Sequence, residues 1–414
     1  MGSMALLDAM RYQFGPPLMV ALVTAGVQLL AVVGGGGLTN SWSVVGSVQA
    51  WTLVSALCLW ALLSLWIPGK VFVGPHPPHG GAAPTYRANG FQFFVVSLLL
   101  CILGLFLQPT FALQVYTIFP EILAACNVTA LSFCTYLLII GKWWPQTKEE
   151  LTARPLVYEF YRGMEIHPRI LGVDVKQLTN CRFGLLAWQL LVVIFFVAGG
   201  IKNGWSVAHF VCVALQTIYL AKFYWWETGY FNTLDITLDR AGYYICWGCI
   251  VFVPGFYTFT SYYLVAHPPV ISDSGAVLCF ILGILAIGLN YRIDWEKEYF
   301  RHNNGKCFIW NRPAKFIKAT YLTYDKKQKT SYLLTSGFWG ISRHLNYVFE
   351  LMLTLSWSLP GLGLGFGPFL YFIFLTILLI HRIFRDEEKC KAKYGKYWVQ
   401  YCEAVPYRLI PGIF

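Results

Sequence analysis

Phe183-Gly-Leu-Leu-Ala-Trp-Gln-Leu-Leu-Val-Val-Ile-Phe-Phe-Val-Ala-Gly-Gly-Ile201 runs nineteen residues without a formal charge. As an α-helix it would rise roughly 28 Å at 1.5 Å per residue, close to the ~30 Å hydrocarbon core of a bilayer. A helix satisfies its own backbone polar groups, which hydrocarbon cannot do, so the stretch reads as a membrane span. Comparable runs lie near 17–33, 47–67, 91–108, 114–141, 205–226, 241–265, 274–291, 344–357 and 361–384. The 414 residues are 57% hydrophobic and 12% charged, with a mean hydropathy of +0.54, which excludes an ordinary water-soluble domain. The expected fold is all-α, a polytopic transmembrane helical bundle of about ten spans.

Lys and Arg set the orientation. The connections after the first, third and seventh spans carry none, and the fifth is followed by Lys202 alone. Arg11, Lys70, Arg87, the 142–182 connection, the 292–333 segment and the tail hold the rest, so that side is expected to be cytosolic together with both termini. The net charge of +11 follows from this asymmetry and from attraction to anionic lipid. No nucleic-acid footprint is expected. The opening Met1-Gly-Ser-Met4 resembles a tag remnant, and no basic segment with a small-residue cleavage site precedes the first run, so no cleaved signal is expected.

Of twelve cysteines, Cys58, Cys101, Cys126, Cys134, Cys212, Cys246, Cys249 and Cys279 fall in apolar runs and read as reduced core residues. Cys246-Trp-Gly-Cys249 has redox spacing but lies where a stabilised thiolate is not expected. Asn127-Val-Thr129 fits the glycosylation pattern within a span and should stay unmodified.

No internal repeat is visible, and Gly34–Gly37 and Pro75–Pro84 are the low-complexity patches, the second a loop. Residues 1–150 carry few charges within their spans, Glu121 excepted, and read as an N-terminal transmembrane scaffold. Residues 151–414 read as the catalytic transmembrane region, because charges there sit at span edges or within them, at a cost that usually reflects a cavity, partner or ligand.

Tyr158-Glu-Phe-Tyr-Arg-Gly-Met-Glu-Ile-His-Pro-Arg-Ile170 mixes both charge signs and also fits a plain solvated connection. Glu227, Asp235 and Asp239 follow an apolar helix, with Arg240 a possible partner. Gln216 and Tyr219 are three apart and share a helix face, although a buried tyrosine most often just satisfies its hydroxyl in the core. Trp339, Arg343, His344, Asn346 and Tyr347 form a compact amphipathic segment. Lys297, Arg301, Lys306 and Arg312 precede it, and these cations could also face lipid headgroups. Asp386, Cys390, Lys393 and Tyr394 share one face, continued by Tyr401, and this acid, cation and phenol set suits a ribose, a carboxamide and a phosphate. There is no Gly-rich phosphate loop and no polar metal-ligand pair. A nucleotide would need a helical pocket, and no metal is expected.

Four stretches carry a family resemblance: Gly163-x-Glu165-x-x-Pro168-Arg169, Leu333-Leu-Thr-Ser-Gly-Phe-Trp-Gly-Ile-Ser-Arg-His344, His381-Arg-Ile-Phe-Arg-Asp386 and Lys393-Tyr-Gly-Lys-Tyr-Trp398. From about residue 158 to the end, the chain resembles the sterol reductases, a family that includes the C-14 sterol reductases, the membrane domain of the lamin B receptor and the 7-dehydrocholesterol reductases. Phe223-Tyr-Trp-Trp-Glu-Thr-Gly-Tyr230, Asp239-Arg-Ala-Gly-Tyr-Tyr-Ile-Cys-Trp-Gly248 and Leu409-Ile-Pro-Gly-Ile-Phe414 resemble the delta-7 branch more. His344-Leu-Asn-Tyr347 stands where the C-14 branch commonly has His-Pro-Asn-Tyr. No soluble chromatin-binding domain like that of the lamin B receptor is visible, so a scaffold role of that kind is not expected.

The resemblance implies an endoplasmic reticulum membrane enzyme with a sterol substrate, membrane lipid around it and NADPH as donor. It implies that Lys297 and Arg301 meet the 2′-phosphate, a charge-assisted contact. Leu334, Trp339, Asn346, Tyr347, Asp386, Cys390, Lys391, Ala392, Lys393, Tyr394 and Tyr401 would line the nucleotide.

Hydride does not add to an electron-rich alkene, so protonation must come first. In a 5,7-diene, a proton on carbon 8 leaves an allyl cation over carbons 5 to 7, which hydride at carbon 7 completes. Tyr219 is the first candidate acid, relayed from Asp386 or Glu227; a phenol is a weak acid, so burial beside a carboxylate matters more than its intrinsic pKa. Other readings are delta-14 sterol reduction, a non-catalytic sterol-binding protein, and a membrane methyltransferase using S-adenosylmethionine. The last shares Arg343-His344, Asp386-Glu387 and Tyr394-Gly395 loosely but leaves Lys297 and Arg301 without a role.

Overall fold

The structure, a computed structural model, describes residues 8–35, 43–77, 82–146, 154–322 and 328–414. The Met1–Met4 opening lies outside the described residues, as do parts of both low-complexity patches. The chain divides into two compact units, Met1–Pro269 and Val270–Phe414.

Among the described residues nine helices are long and apolar enough to cross a membrane. In the first unit these are α1 (Met10–Gly34), α2 (Val48–Trp66), α3 (Gly90–Leu107), α5 (Phe119–Trp143), α7 (Gln177–Asn203), α8 (Val207–Trp225) and α9 (Tyr243–Ala266). Shorter helices lie between them, among them α4 (Thr110–Thr117) and α6 (Leu156–Arg162), with single turns at Glu227–Tyr230 and Leu234–Thr237. In the second unit, α10 (Asp273–His302) and α12 (Gly367–Tyr394) reach span length, and α11 (Leu345–Ser358) and α13 (Lys396–Ala404) do not. The expected ninth span, 344–357, is therefore a helix of 14 residues. At 1.5 Å per residue it covers only about 21 Å, and the Leu359-Pro-Gly turn ends it.

Among the described residues sheet is confined to short hairpins, the longest pairing β7 (Phe316–Leu322) with β8 (Gln328–Leu334). The smaller pairs are β1 (Val71–Val73) with β2 (Thr85–Arg87), β3 (Arg169–Ile170) with β4 (Val173–Asp174), and β5 (Phe308–Ile309) with β6 (Arg312–Pro313).

The first unit is held by buried polar contacts as well as apolar packing. Arg182 and Glu227 form an ion pair with 0% and 3% of their side chains exposed. The second guanidinium nitrogen donates to Glu227 Oε2 at 3.1 Å, Asn89 Oδ1 at 2.9 Å and the Arg87 carbonyl at 3.1 Å. Gly90 is required beside this pair, since a Cβ there would overlap the Glu227 carboxylate. Arg162 pairs with Asp239 at 2.6 Å.

Lys176 is wholly buried. Its ammonium donates to the carbonyls of Asp235, Ile236 and Asp239 at 3.1, 2.5 and 2.8 Å, which covers the exposed carbonyl end of the one-turn helix Leu234–Thr237. Burial nonetheless lowers its pKa to about 8, opposed by Asp174 and Asp239. Among the described residues Asp174 Oδ2 has no hydrogen-bond partner, and it lies 3.9 Å from His167 Nδ1.

All twelve cysteines are free thiols. Cys246 and Cys249 are buried within α9. Asn127 accepts from Trp247 Nε1 at 2.8 Å and donates to Gln28 at 3.3 Å, so it is packed inside the helices.

Candidate active site

The second unit builds its polar cluster on the end of α10. Residues 274–291 of this helix carry no charge, and Arg292, Asp294, Glu296, Lys297, Glu298 and Arg301 crowd its last turns. A 30-residue helix is about 45 Å long, so it outruns a ~30 Å hydrocarbon core and carries those charges past the apolar stretch.

Glu296 anchors the incoming loop. Its Oε1 accepts from Phe338 N at 2.9 Å. Gly337 takes φ 64°, and a Cβ there would overlap the same carboxylate, so this turn needs glycine. The loop thereby seats Trp339, which is buried and donates Nε1 to the Ile293 carbonyl at 2.9 Å. Lys297 Nζ then rests 3.7 Å from the Trp339 ring centroid. Arg301 is one turn further along the same face and is exposed. Among the described residues neither cation makes an ion pair. Two like charges one helical turn apart repel, and an anion would relieve that repulsion.

Asn346 at the start of α11 donates to Asp294 Oδ1 at 3.0 Å. Its carbonyl accepts from Asn290 Nδ2 at 2.9 Å, and that amide also reaches Glu350 Oε2 at 3.2 Å. Tyr347 stacks on His344 with ring centroids 5.2 Å apart. From α12, Asp386 and Cys390 are electrostatic neighbours of Lys297 together with Arg301 and Asp294. Cys390 Sγ lies 3.9 Å from Asp386 Oδ2, one turn away on the same helix.

Further along, Lys393 Nζ sits 4.4 Å from the Tyr321 ring and 5.0 Å from the Tyr394 ring. The Tyr394 hydroxyl donates to Ser331 Oγ at 3.5 Å. Tyr401 is buried on Trp398 and Val405, with Ile317, Leu333, Cys390 and Tyr394 packed around them. Burial raises its pKa, so its phenol stays protonated. Leu334 packs into the apolar cluster of Ile293, Phe300, Ile309 and Trp339. Lys391 and Ala392 are exposed.

Lys297, Arg301, Trp339, Asn346, Asp386 and Cys390 thus gather at one end of α10. Cations without ion-pair partners among the described residues, beside an aromatic ring, a carboxylate and amide groups, fit a phosphorylated dinucleotide. Tyr219 and Glu227 belong to the first unit. Tyr219 and Gln216 do share a face, both meeting Trp188: Gln216 Oε1 accepts from Trp188 Nε1 at 2.7 Å, and the Tyr219 ring lies 5.9 Å away. Both oxygens of Glu227 are engaged by Arg182.

Two carboxylates that position the cluster, Asp294 and Glu296, escaped the sequence reading, and Glu387 entered it only as part of the acidic pair of the methyltransferase reading. Glu387 accepts from Arg343 Nε and NH2 at 3.0 and 2.8 Å and from Arg408 at 2.9 Å. Arg343 also donates to the Val405 and Pro406 carbonyls at 2.6 and 3.1 Å, stitching the tail to the loop. The alternation of Asp294 and Glu296 around Lys297 was the available signal.

The architecture is that of a multi-pass helical membrane protein with a polar cluster at the end of α10. The family described as Ergosterol biosynthesis ERG4/ERG24 matches residues 27–414. A 7-dehydrocholesterol reductase of Arabidopsis thaliana is 43% identical over 355 residues, 85% of this chain and 82% of its own. A 7-dehydrocholesterol reductase of Xenopus laevis is 35% identical, covering 84% of this chain and 74% of its own. A Delta(14)-sterol reductase of Methylotuvimicrobium alcaliphilum is 32% identical, covering 85% and 80%. The chain belongs to the ERG4/ERG24 family of sterol reductases, which are oxidoreductases. That membership sets the methyltransferase reading aside.

Proposed function

We propose that this chain reduces the delta-7 double bond of 5,7-diene sterols with NADPH as donor. The observation that carries the cofactor is the Lys297 and Arg301 pair, one turn apart, without ion-pair partners and beside Trp339. A 2′-phosphate dianion complements that pair through charge-assisted contacts, and NADPH supplies a hydride when bound there. Asn346, Tyr347, Asp386, Cys390, Lys391, Ala392, Lys393, Tyr394 and Tyr401, with Leu334 behind Trp339, are the residues proposed to hold the rest of the nucleotide. Tyr219 is the proposed proton donor to the sterol, and Asp386 or Glu227 its relay. The delta-7 choice rests on relatives named 7-dehydrocholesterol reductase at 43% and 35% identity.

Delta-14 reduction is the second reading, favoured by the 32% identical relative of that name. The deciding experiment incubates detergent-solubilised protein with NADPH and either 7-dehydrocholesterol or a delta-8,14 sterol, with products separated and weighed by mass. Loss of the 7-dehydrocholesterol double bond alone is expected. Reduction of the other sterol alone would transfer the chain to the C-14 branch, and neither product with NADPH binding retained would point to another sterol double bond or a non-catalytic binder. In this reading residues 151–414 carry the chemistry and 1–150 scaffold it. The Lys and Arg asymmetry supports cytosolic termini, and the membrane proposed is the endoplasmic reticulum.

A further inference from the structure

The first unit encloses a cavity of about 380 Å³ that none of the proposed catalytic or cofactor residues lines. Its walls come from α2, α3, α4, α5, α7 and α9, and Pro254 forms part of the α9 face. A proline inside a helix removes a backbone donor and disturbs close packing at that point. Of seventeen lining side chains, Trp60 and Ser97 are the polar ones besides two thiols, Cys101 and Cys126. The volume lies in the ~300–1,000 Å³ range of small-molecule sites.

Hydrogen bonding decides what can occupy it. Trp60 Nε1 donates to Ser97 Oγ at 2.8 Å, and the Ser97 hydroxyl donates to the Phe93 carbonyl at 2.6 Å. Both donors are therefore used, and the Ser97 oxygen keeps one free lone pair. A water needs two to four polar partners in a buried site, so this wall holds water poorly. Left empty, the apolar lining forfeits dispersion contacts. The complementary guest is a bulky hydrocarbon with a single O–H donor. A phospholipid acyl chain offers no donor at that depth. Leu100, on the lining and on a helix apolar and long enough to cross a membrane, is 54% exposed, so an apolar guest has a side opening there.

We infer that this cavity is a second site for a sterol-class alcohol, its ring hydroxyl donating to Ser97 and its rings packed between Leu57, Leu100, Ala187 and Leu191. This rests on the family's substrate class and not on which double bond is reduced. Residues 1–150 then supply much of a ligand site as well as a scaffold.

The test uses the full purified chain and a sterol photoprobe with a tail diazirine and alkyne and a free ring hydroxyl. Adducts are expected on peptides covering residues 53–60, 97–101 or 187–194, competed by unlabelled sterol at least about tenfold better than by its O-methyl ether, as loss of one hydrogen bond implies. Ala187→Phe, which fills the cavity, should cut labelling there about tenfold. Should that variant misfold, Ser97→Ala with the ether competition in the wild-type chain gives the same reading. Adducts elsewhere only, or an acyl-chain diazirine labelling these peptides without sterol competition, would overturn the inference. Turnover measured on the same preparations separates the two claims: labelling without any reductase activity sinks the proposed reaction alone, and activity without labelling sinks this site alone.

Discussion

The Lys297 ammonium sits 3.7 Å above the ring of Trp339. A π-face steadies a cation by about 0.5–2 kcal/mol without cancelling its charge, as a carboxylate would. The charge stays available to an arriving anion, and Arg301 stands beside it on the same helix face.

Replacing Arg301 should therefore strike the phosphate and little else. Arg301→Ala is expected to weaken NADPH by about 2 kcal/mol, roughly 30-fold in Kd, as for a lost charged hydrogen bond. NADH should hardly change. Titration calorimetry with both cofactors checks it, and equal weakening of the two would falsify the 2′-phosphate assignment.

Tyr219 meets Trp188 within the first unit, while the residues proposed for the cofactor belong to the second. Tyr219→Phe should abolish most sterol turnover and leave NADPH affinity unchanged, because only the transferable proton is lost. Single-turnover assays alongside cofactor titration separate the two, and undiminished turnover removes Tyr219 as the donor.

Glu227 has a structural partner strong enough to compete with any relay role. Glu227→Ala strands a buried guanidinium and should cost about 3–5 kcal/mol of stability, read as a fall in the thermal midpoint in detergent. An unmoved midpoint with lost turnover would shift Glu227 from packing to chemistry.

The connection between α6 and α7 should make the first unit acid-sensitive. Burial, reinforced by Lys176 and Arg169, lowers the His167 pKa from 6.5 to about 3. Between those values the unfolded chain binds a proton that the folded chain refuses, so stability falls as pH drops below 6.5, by at most about 1.4 kcal/mol per pH unit, and levels off near 3. Asp174, raised by burial, works the opposite way as it takes up its proton. Thermal midpoints from pH 7 to 4 should decline, and His167→Asn should flatten the decline; an identical slope in the variant rules His167 out.

The spans were legible because hydrocarbon imposes one length and one composition, and nine of the apolar runs became helices of spanning length. The 344–357 run misled because composition does not reveal where a Pro-Gly turn stops a helix. At the candidate site, the shared face of Asp386, Cys390 and Lys393 was readable, since i, i+4 spacing is local. The Trp339 ring over Lys297 and the Arg182 clasp on Glu227 were not, because both join segments far apart in the chain. Long-range pairing leaves no periodic trace. The acidic residues that looked functional near 227–239 turned out to include two, Glu227 and Asp239, bound to arginines from earlier helices.

The 30-residue α10 is longer than a bilayer's hydrocarbon core is thick, and its cluster of charges falls after its apolar stretch. A dinucleotide dissolves in water and a sterol dissolves in lipid, and neither crosses readily into the other's medium. In the proposed reaction a single helix with an apolar stem and cations at its far end would let both reactants be met without drawing either out of its own medium.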